Sequence, residues 1–90
     1  MQVRFSKKFT KSFEKTSSKI QSVFEKRLEI FLQDKFHPTL NNHSLTGRYS
    51  GCRSINITGD WRAIYSESVG KNGEKQAIFE LLGTHNQLYR

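Results

Sequence analysis

The sole proline of the 90-residue chain, Pro38, divides the sequence into two parts of different character. All six glycines follow it, and none precedes it. Before the proline, apolar side chains recur at three- and four-residue spacing, which is typical of helices that bury one face. After it, runs of β-branched and aromatic residues lie between glycine and asparagine turns, which is typical of strands. We therefore expect a single α+β domain over residues 1–90.

The first part predicts one short strand and two helices. Residues 1–5 alternate between apolar and polar side chains, as a strand does. Ser6 is a suitable N-cap for a helix whose apolar stripe includes Phe9 and Phe13. A second amphipathic helix is expected from Lys19 to Lys35, because the proline that follows lacks a backbone N–H. The polar break between the helices predicts a helical hairpin.

Three strands are expected after the proline, over Tyr49–Ile57, Trp61–Val69 and Gln76–Leu82. Turns at 58–60 and 70–73 would join them into an antiparallel meander. Residues 85–90 are too few for more than one helical turn. The expected order is β-α-α-β-β-β, with the helical hairpin packed on a small antiparallel sheet and a short C-terminal tail.

Composition limits the classes of function. The chain has 15 Lys and Arg against 8 Asp and Glu, a formal net charge of +7, which favours a nucleic acid or an acidic protein as partner. A single cysteine excludes an intramolecular disulfide, and no Cys/His cluster suggests zinc, so we expect no metal and no cofactor. Because no signal peptide or long apolar segment is present, we expect a soluble, cytoplasmic protein.

Side chains suited to acid–base chemistry on RNA are concentrated after the proline: His43, Arg48, Arg53, Asp60, Trp61, Arg62, His85 and Tyr89. In metal-free RNA cleavage a base removes the proton of the ribose 2′-hydroxyl, an acid protonates the leaving 5′ oxygen, and arginines stabilise the phosphate charge. Histidine suits either proton transfer because its ordinary pKa is about 6.5. Each residue also has an ordinary structural explanation in a loop, turn or sheet, so these residue types alone leave the function open.

Two stretches of this second part carry a family resemblance. Residues 41–66, NNHSLTGRYSGCRSINITGDWRAIYS, contain a loop histidine, an arginine-led strand and an Asp-Trp turn. Residues 81–90, LLGTHNQLYR, contain Gly-Thr-His with an aromatic residue four positions after the histidine. Together they resemble the RelE/ParE toxin superfamily, most closely its YafQ-type mRNA interferases. The similarity spans essentially the whole chain, with its specific part in residues 37–90.

The resemblance implies the toxin of a bacterial type II toxin–antitoxin system, an endoribonuclease that cuts mRNA on the ribosome. It assigns acid–base roles to His43, Asp60 and His85, and the tail aromatic position to Tyr89. The expected RNA-binding residues are Arg48, Arg53, Asn56, Trp61 and Arg62, with Arg48 included because arginine suits bidentate phosphate contacts. The implied partners are a cognate antitoxin, the ribosome and mRNA, with no membrane and no small-molecule cofactor.

Two positions depart from the YafQ-type pattern and keep other functions open. Asn56 stands where those toxins carry another histidine, and Leu81 where they carry an arginine. An amide can hydrogen-bond a phosphate or ribose but cannot transfer a proton near neutral pH. One alternative is therefore a non-catalytic protein of the same fold, either a ParE-like gyrase inhibitor or a toxin with a degenerate active site. Another is a basic nucleic-acid-binding module that uses the lysine-rich helices.

Overall fold

The computed structural model describes residues 1–89, and Arg90, the last residue of the closing segment, lies outside the described residues. The elements are β1 (Gln2–Phe5), α1 (Lys7–Glu14), α2 (Ser18–Gln33), β2 (His43–Ser44), β3 (Cys52–Asn56), β4 (Trp61–Val69), β5 (Lys75–Thr84) and α3 (His85–Leu88). Single turns of 3-10 helix, Pro38–Leu40 and Gly47–Tyr49, precede β2 and β3. Within residues 1–89, no helix has the length and apolar character that crossing a membrane requires. The α+β class is confirmed.

The strands form one mostly antiparallel sheet in the order β1-β5-β4-β3-β2. The expected meander is confirmed, because β4 pairs antiparallel with both β3 and β5. Two pairings were not predicted: β1 runs parallel to β5 at one edge, and β2 pairs with β3 at the other. A two-residue strand such as β2 is too short to show a period, and the partner of β1 lies near the opposite end of the chain.

The segment before β3 differs from the prediction. Tyr49 was expected in a strand, but it lies in a 3-10 turn, and the strand begins at Cys52. Gly47 begins this turn and Gly51 follows it, with φ angles of 67° and 90°. Because glycine has no Cβ, it adopts such angles without steric cost, so the two glycines allow the chain to turn sharply before it enters the sheet.

One face of the sheet packs against the helices through aromatic rings. The side chain of Phe79 on β5 is fully buried at the centre of this core. Its ring centroid lies 5.4–5.8 Å from the rings of Phe5, Phe9, Phe24, Phe31 and Tyr65. Such pairs contribute about 0.5–1.5 kcal/mol each beyond the burial of their area. A few large side chains therefore fill the core of a chain that is only 34% hydrophobic.

Ser6 connects α1 to the sheet, and its predicted role as N-cap is confirmed. Its hydroxyl accepts a hydrogen bond from the backbone N–H of Phe9 at 3.0 Å and donates to the carbonyl of Glu80 at 2.8 Å. The serine thus satisfies one of the unpaired N–H groups that begin a helix and fixes the helix to β5.

Candidate active site

The two faces of the sheet have different surroundings. Residues opposite each other in antiparallel strands project to the same side, and successive residues of a strand alternate between sides. Tyr65 of β4 packs edge-on against Phe31 of α2 at 5.0 Å, so its cross-strand partner Arg53 shares the face covered by the helices. We call this the helix face. Asn56 and its partner Arg62 lie on the opposite side, which we call the cleft face.

A cleft of about 330 Å³ opens on the cleft face, between β2, β4 and the C-terminal helical turn. It is lined by Asn41, His43, Leu45, Arg62, His85 and Tyr89. The structure therefore brings together four residues that the sequence analysis had placed in the site: two histidines, an arginine and a tyrosine. They come from three separate parts of the chain, namely β2, β4 and the C-terminal helical turn that follows β5, and the pairing of the strands brings these parts together.

His43 is held at the cleft by β2, where it pairs with Ser54 of β3. Its ring nitrogen Nδ1 lies 2.9 Å from the carbonyl oxygen of Asn41, a residue with a left-handed φ of 46° that asparagine tolerates. Since a carbonyl oxygen can only accept, Nδ1 must carry the proton of this bond. In the neutral imidazole, Nε2 is then the nitrogen with a free lone pair.

His85 begins α3, and local contacts determine its position. Its backbone N–H donates to the carbonyl of Asp60 at 2.9 Å. Thr84 and Gln87 form a capping box, in which each side chain bonds the other residue's backbone N–H. The His85 ring lies 4.8 Å from the ring of Tyr89, one turn later. The Gly-Thr-His motif therefore contains a helix cap that presents its histidine to the cleft, on the single helical turn that was expected.

Arg62 supplies the positive charge of the cleft. Its Nη1 donates to the carbonyls of Thr58 and Gly59 at 3.0 Å and of Trp61 at 3.2 Å. These bonds hold the half-buried side chain against the β3–β4 turn. A guanidinium has five N–H donors, of which Nη1 carries two, so the other nitrogens offer donors suited to a phosphate.

Arg53 does not reach the cleft, although its sequence context resembles that of Arg62. Its Nε donates to Oδ1 of Asn42 at 2.7 Å, and its guanidinium lies 5.2 Å from the ring centroid of Phe36. The Asn42 amide in turn donates to the Tyr65 hydroxyl at 2.7 Å. Burial raises the pKa of Tyr65, and the bond from Asn42 lowers it by less. This network belongs to the helix face.

The other predicted site residues lie around the cleft rather than in its lining. Asp60 contacts His85 through its backbone carbonyl, while its exposed side chain is not part of the cleft wall. Trp61 packs against the helix-face core and lines a second groove beside α1. Asn56 lies on the cleft face, and its buried Oδ1 has no hydrogen-bond partner among residues 1–89. Arg48 donates through Nη2 to the carbonyl of Leu88 at 2.9 Å.

Tyr49 is a functional candidate that the sequence analysis missed. Its hydroxyl donates to the same Leu88 carbonyl at 2.7 Å, and its ring meets that of Tyr89 edge-on at 5.8 Å. Because Tyr49 was predicted to lie in a strand, its contacts with the C-terminal turn were not expected. The signal that could have revealed it is the flanking glycine pair, Gly47 and Gly51, which favours a turn over a regular strand at this point.

Other chemistries have little support in the arrangement. Burial raises the pKa of the Cys52 thiol, and the nearby Glu80 carboxylate raises it further, so the thiol stays protonated at neutral pH and is a poor nucleophile. In the part of the chain that the structure describes, no three His, Cys, Asp or Glu side chains are grouped to hold a metal ion. The cleft residues best suited to reaction are the histidines.

Comparison with solved structures identifies the fold. The crystal structure of YafQ from E. coli strain BL21(DE3) matches with a TM-score of 0.79 and 18% identity, covering 98% of this chain and 97% of that chain. A YoeB/ParE toxin from Agrobacterium tumefaciens matches with a TM-score of 0.75 and 18% identity, covering 94% and 99%. The E. coli DinJ–YafQ complex matches at 0.65 and 22%, covering 98% and 97%. The fold is that of RelE/ParE superfamily toxins.

The family follows from the sequence as a whole. The family model described as the bacterial toxin of the type II toxin–antitoxin system, YafQ, matches residues 1–90. The chain therefore belongs to the YafQ family of type II toxins, which confirms the resemblance found in its motifs. A comparison with curated proteins gives no significant match.

Proposed function

We propose that this toxin is an endoribonuclease that cleaves mRNA during translation by metal-free acid–base chemistry. The observation that carries the proposal is the cleft that His43, His85 and Arg62 line together. Two groups able to transfer protons and one fixed cation are the set that internal transesterification of RNA requires.

The geometry supports His43 as the general base and His85 as the general acid. With Nδ1 bonded to a carbonyl, His43 has Nε2 available to take the proton of the ribose 2′-hydroxyl. The 2′ oxygen then attacks the adjacent phosphorus, and the bond from phosphorus to the 5′ oxygen breaks. His85, as imidazolium, gives a proton to that departing oxygen. Arg62 stabilises the charge that develops on the phosphate.

The other predicted site residues have different roles in the proposed mechanism. Tyr89 lies against the His85 ring and offers an aromatic face on which an RNA base can stack. Asp60 supports His85 through its backbone carbonyl and is left out of the proton transfers. Asn56 lies across the strand pair from Arg62, where an amide can hydrogen-bond RNA but cannot replace a histidine. RNA contacts by Arg48 and Trp61 stay predictions, whereas Arg53, which bonds Asn42 on the helix face, is proposed to support the fold instead.

A cognate antitoxin, the ribosome and mRNA are the proposed partners, which places the action of the toxin in the cytoplasm. The E. coli relative forms a toxin–antitoxin complex named DinJ–YafQ. The net charge of +7 suits attraction both to RNA and to an acidic antitoxin segment. Both cleft histidines are exposed, so a partner such as the ribosome has room to close over them.

The test is cleavage of a reporter mRNA in a reconstituted translation system. We expect His43→Ala and His85→Ala each to lower the cleavage rate by about 10²–10⁴-fold, because each removes a proton-transfer group. His37→Ala is the matched control, since His37 is also exposed but its Nδ1 accepts from the Thr39 N–H outside the cleft.

An unchanged rate in His85→Ala would overturn the proposal. Gyrase supercoiling is measured in parallel with the same protein preparations. Inhibition of gyrase without any cleavage of mRNA would support the ParE-like alternative instead.

A further inference from the structure

Two side chains from the turn before β3 converge on one carbonyl oxygen of the C-terminal helix. The Tyr49 hydroxyl and the Arg48 Nη2 donate to the Leu88 carbonyl, at 2.7 Å and 2.9 Å. We propose that Tyr49 and Arg48 are positioning residues, which act as a clamp that holds α3, and with it His85 and Tyr89, in the cleft. The expected effect on RNA cleavage rests on the proposed nuclease function, whereas the effect on the tail does not.

The clamp binds the Leu88 carbonyl, which lies at the end of α3, where the helix has no N–H group of its own to bond it. The last carbonyls of a helix have no intrahelical donor, and the partial negative charge at this end favours a nearby cation. Arg48 provides that cation, and its guanidinium also lies 5.0 Å from the ring centroid of Tyr49. The two donors therefore support one another and the end of α3.

Apart from the clamp, the hydrogen bonds that fix the tail to the sheet lie at its start, and its far end is held by the packing of Leu88. The capping box of Thr84 and Gln87 and the bond from His85 to Asp60 hold the first turn. The Leu88 side chain packs onto β5 because residue 83 is glycine: a Cβ there would lie 3.3 Å from it. A four-residue helix is far below the length at which a helix is stable alone, so its far end needs tertiary support.

A chain of ring contacts leads from the clamp to the candidate catalytic group. The Tyr49 ring packs edge-on against Tyr89 at 5.8 Å, and Tyr89 lies 4.8 Å from the imidazole of His85. The Tyr89 backbone N–H also donates to the His85 carbonyl at 3.0 Å. Loss of the clamp should therefore loosen both side chains that α3 contributes to the cleft.

The first test measures the backbone order of the tail by ¹⁵N NMR relaxation. Tyr49→Phe removes the hydroxyl and keeps the ring. We expect the order parameters of residues 86–89 to fall from about 0.85 toward 0.6, with β4 unchanged. Tyr65→Phe is the matched control, because it deletes a hydrogen-bonded hydroxyl on the helix face. Unchanged order of the tail in Tyr49→Phe would overturn the clamp.

The second test asks whether Tyr49 acts through His85. We expect Tyr49→Phe to lower kcat for RNA cleavage about ten- to hundredfold, because a misplaced His85 slows chemistry, and to raise KM by a smaller factor, because Tyr89 is loosened as well. In a His85→Ala background, Tyr49→Phe should cause no further loss of kcat. An equal loss in both backgrounds, or a rise in KM alone, would overturn the positioning role. If wild-type protein cleaves no RNA, the nuclease proposal fails, and the NMR result still decides the clamp.

Discussion

The two faces of the sheet use similar side chains for different purposes. On the helix face, Arg53 is bonded to Asn42, and Lys35 forms an ion pair with Glu67 at 2.6 Å. On the cleft face, Arg62 and the histidines border open space. Polar groups that bond one another are committed to the fold, whereas those at the cleft retain capacity for a ligand. The comparison therefore predicts that substitutions on the helix face change stability and those at the cleft change activity.

The largest expected effect is on the helix face. Phe79→Ala removes a fully buried ring that contacts five others, so we expect the free energy of unfolding to fall by about 3–5 kcal/mol. Phe36→Ala, which truncates a side chain that is 57% exposed, should change it by less than about 1 kcal/mol. Urea unfolding measures both. A similar small loss in the two variants would contradict the aromatic core as the main source of stability.

The two arginines on neighbouring strands give the sharpest contrast between the faces. Arg62→Gln should lower the rate of RNA cleavage by about 10²–10³-fold, because it removes the cation proposed to stabilise the phosphate. Arg53→Gln should keep that rate and lower the free energy of unfolding by about 1 kcal/mol, through the lost bond to Asn42. Cleavage assays and urea unfolding on both variants separate the roles. Equal losses of cleavage would instead mean that both arginines bind RNA.

The smallest expected effect concerns the pH dependence of stability. Burial raises the pKa of Tyr65 above its ordinary value of 10.0, so the folded protein keeps a neutral phenol where the unfolded chain ionises. Its contribution is fully present below about pH 10 and is lost as the pH rises through the folded-state pKa. Urea unfolding between about pH 8 and 11 should show a steeper alkaline loss of stability in wild type than in Tyr65→Phe. Identical slopes would contradict this assignment.

Much of the fold could be predicted because local signals agree along the chain. The Ser6 cap, the helix periodicity and the strand Trp61–Val69 are all found where the sequence placed them. The pairings of β1 and β2 could not be predicted, because one depends on a partner distant in sequence and the other has only two residues. Pairings of this kind are set by tertiary packing rather than by local propensity.

Several residues of the candidate site could be predicted from the sequence, but their arrangement in space could not. The family resemblance selected His43, His85 and Arg62, which the structure brings to one cleft. It also selected Arg53, because the sequence does not reveal which face a strand residue occupies. On β3 the polar Ser54 is as fully buried as its neighbour Ile55, so the apolar/polar alternation that would otherwise indicate the face is obscured.

The chemical identity of the cut RNA ends tests the central claim most directly. Attack by the 2′-hydroxyl predicts fragments with a 2′,3′-cyclic phosphate on one side of the cut and a 5′-hydroxyl on the other. Replacement of the 2′-hydroxyl by hydrogen at the cut position should abolish cleavage, and His85→Ala should slow the appearance of the same ends. Fragments with a 3′-hydroxyl and a 5′-phosphate would contradict the account, because they would mean that water attacked the phosphorus.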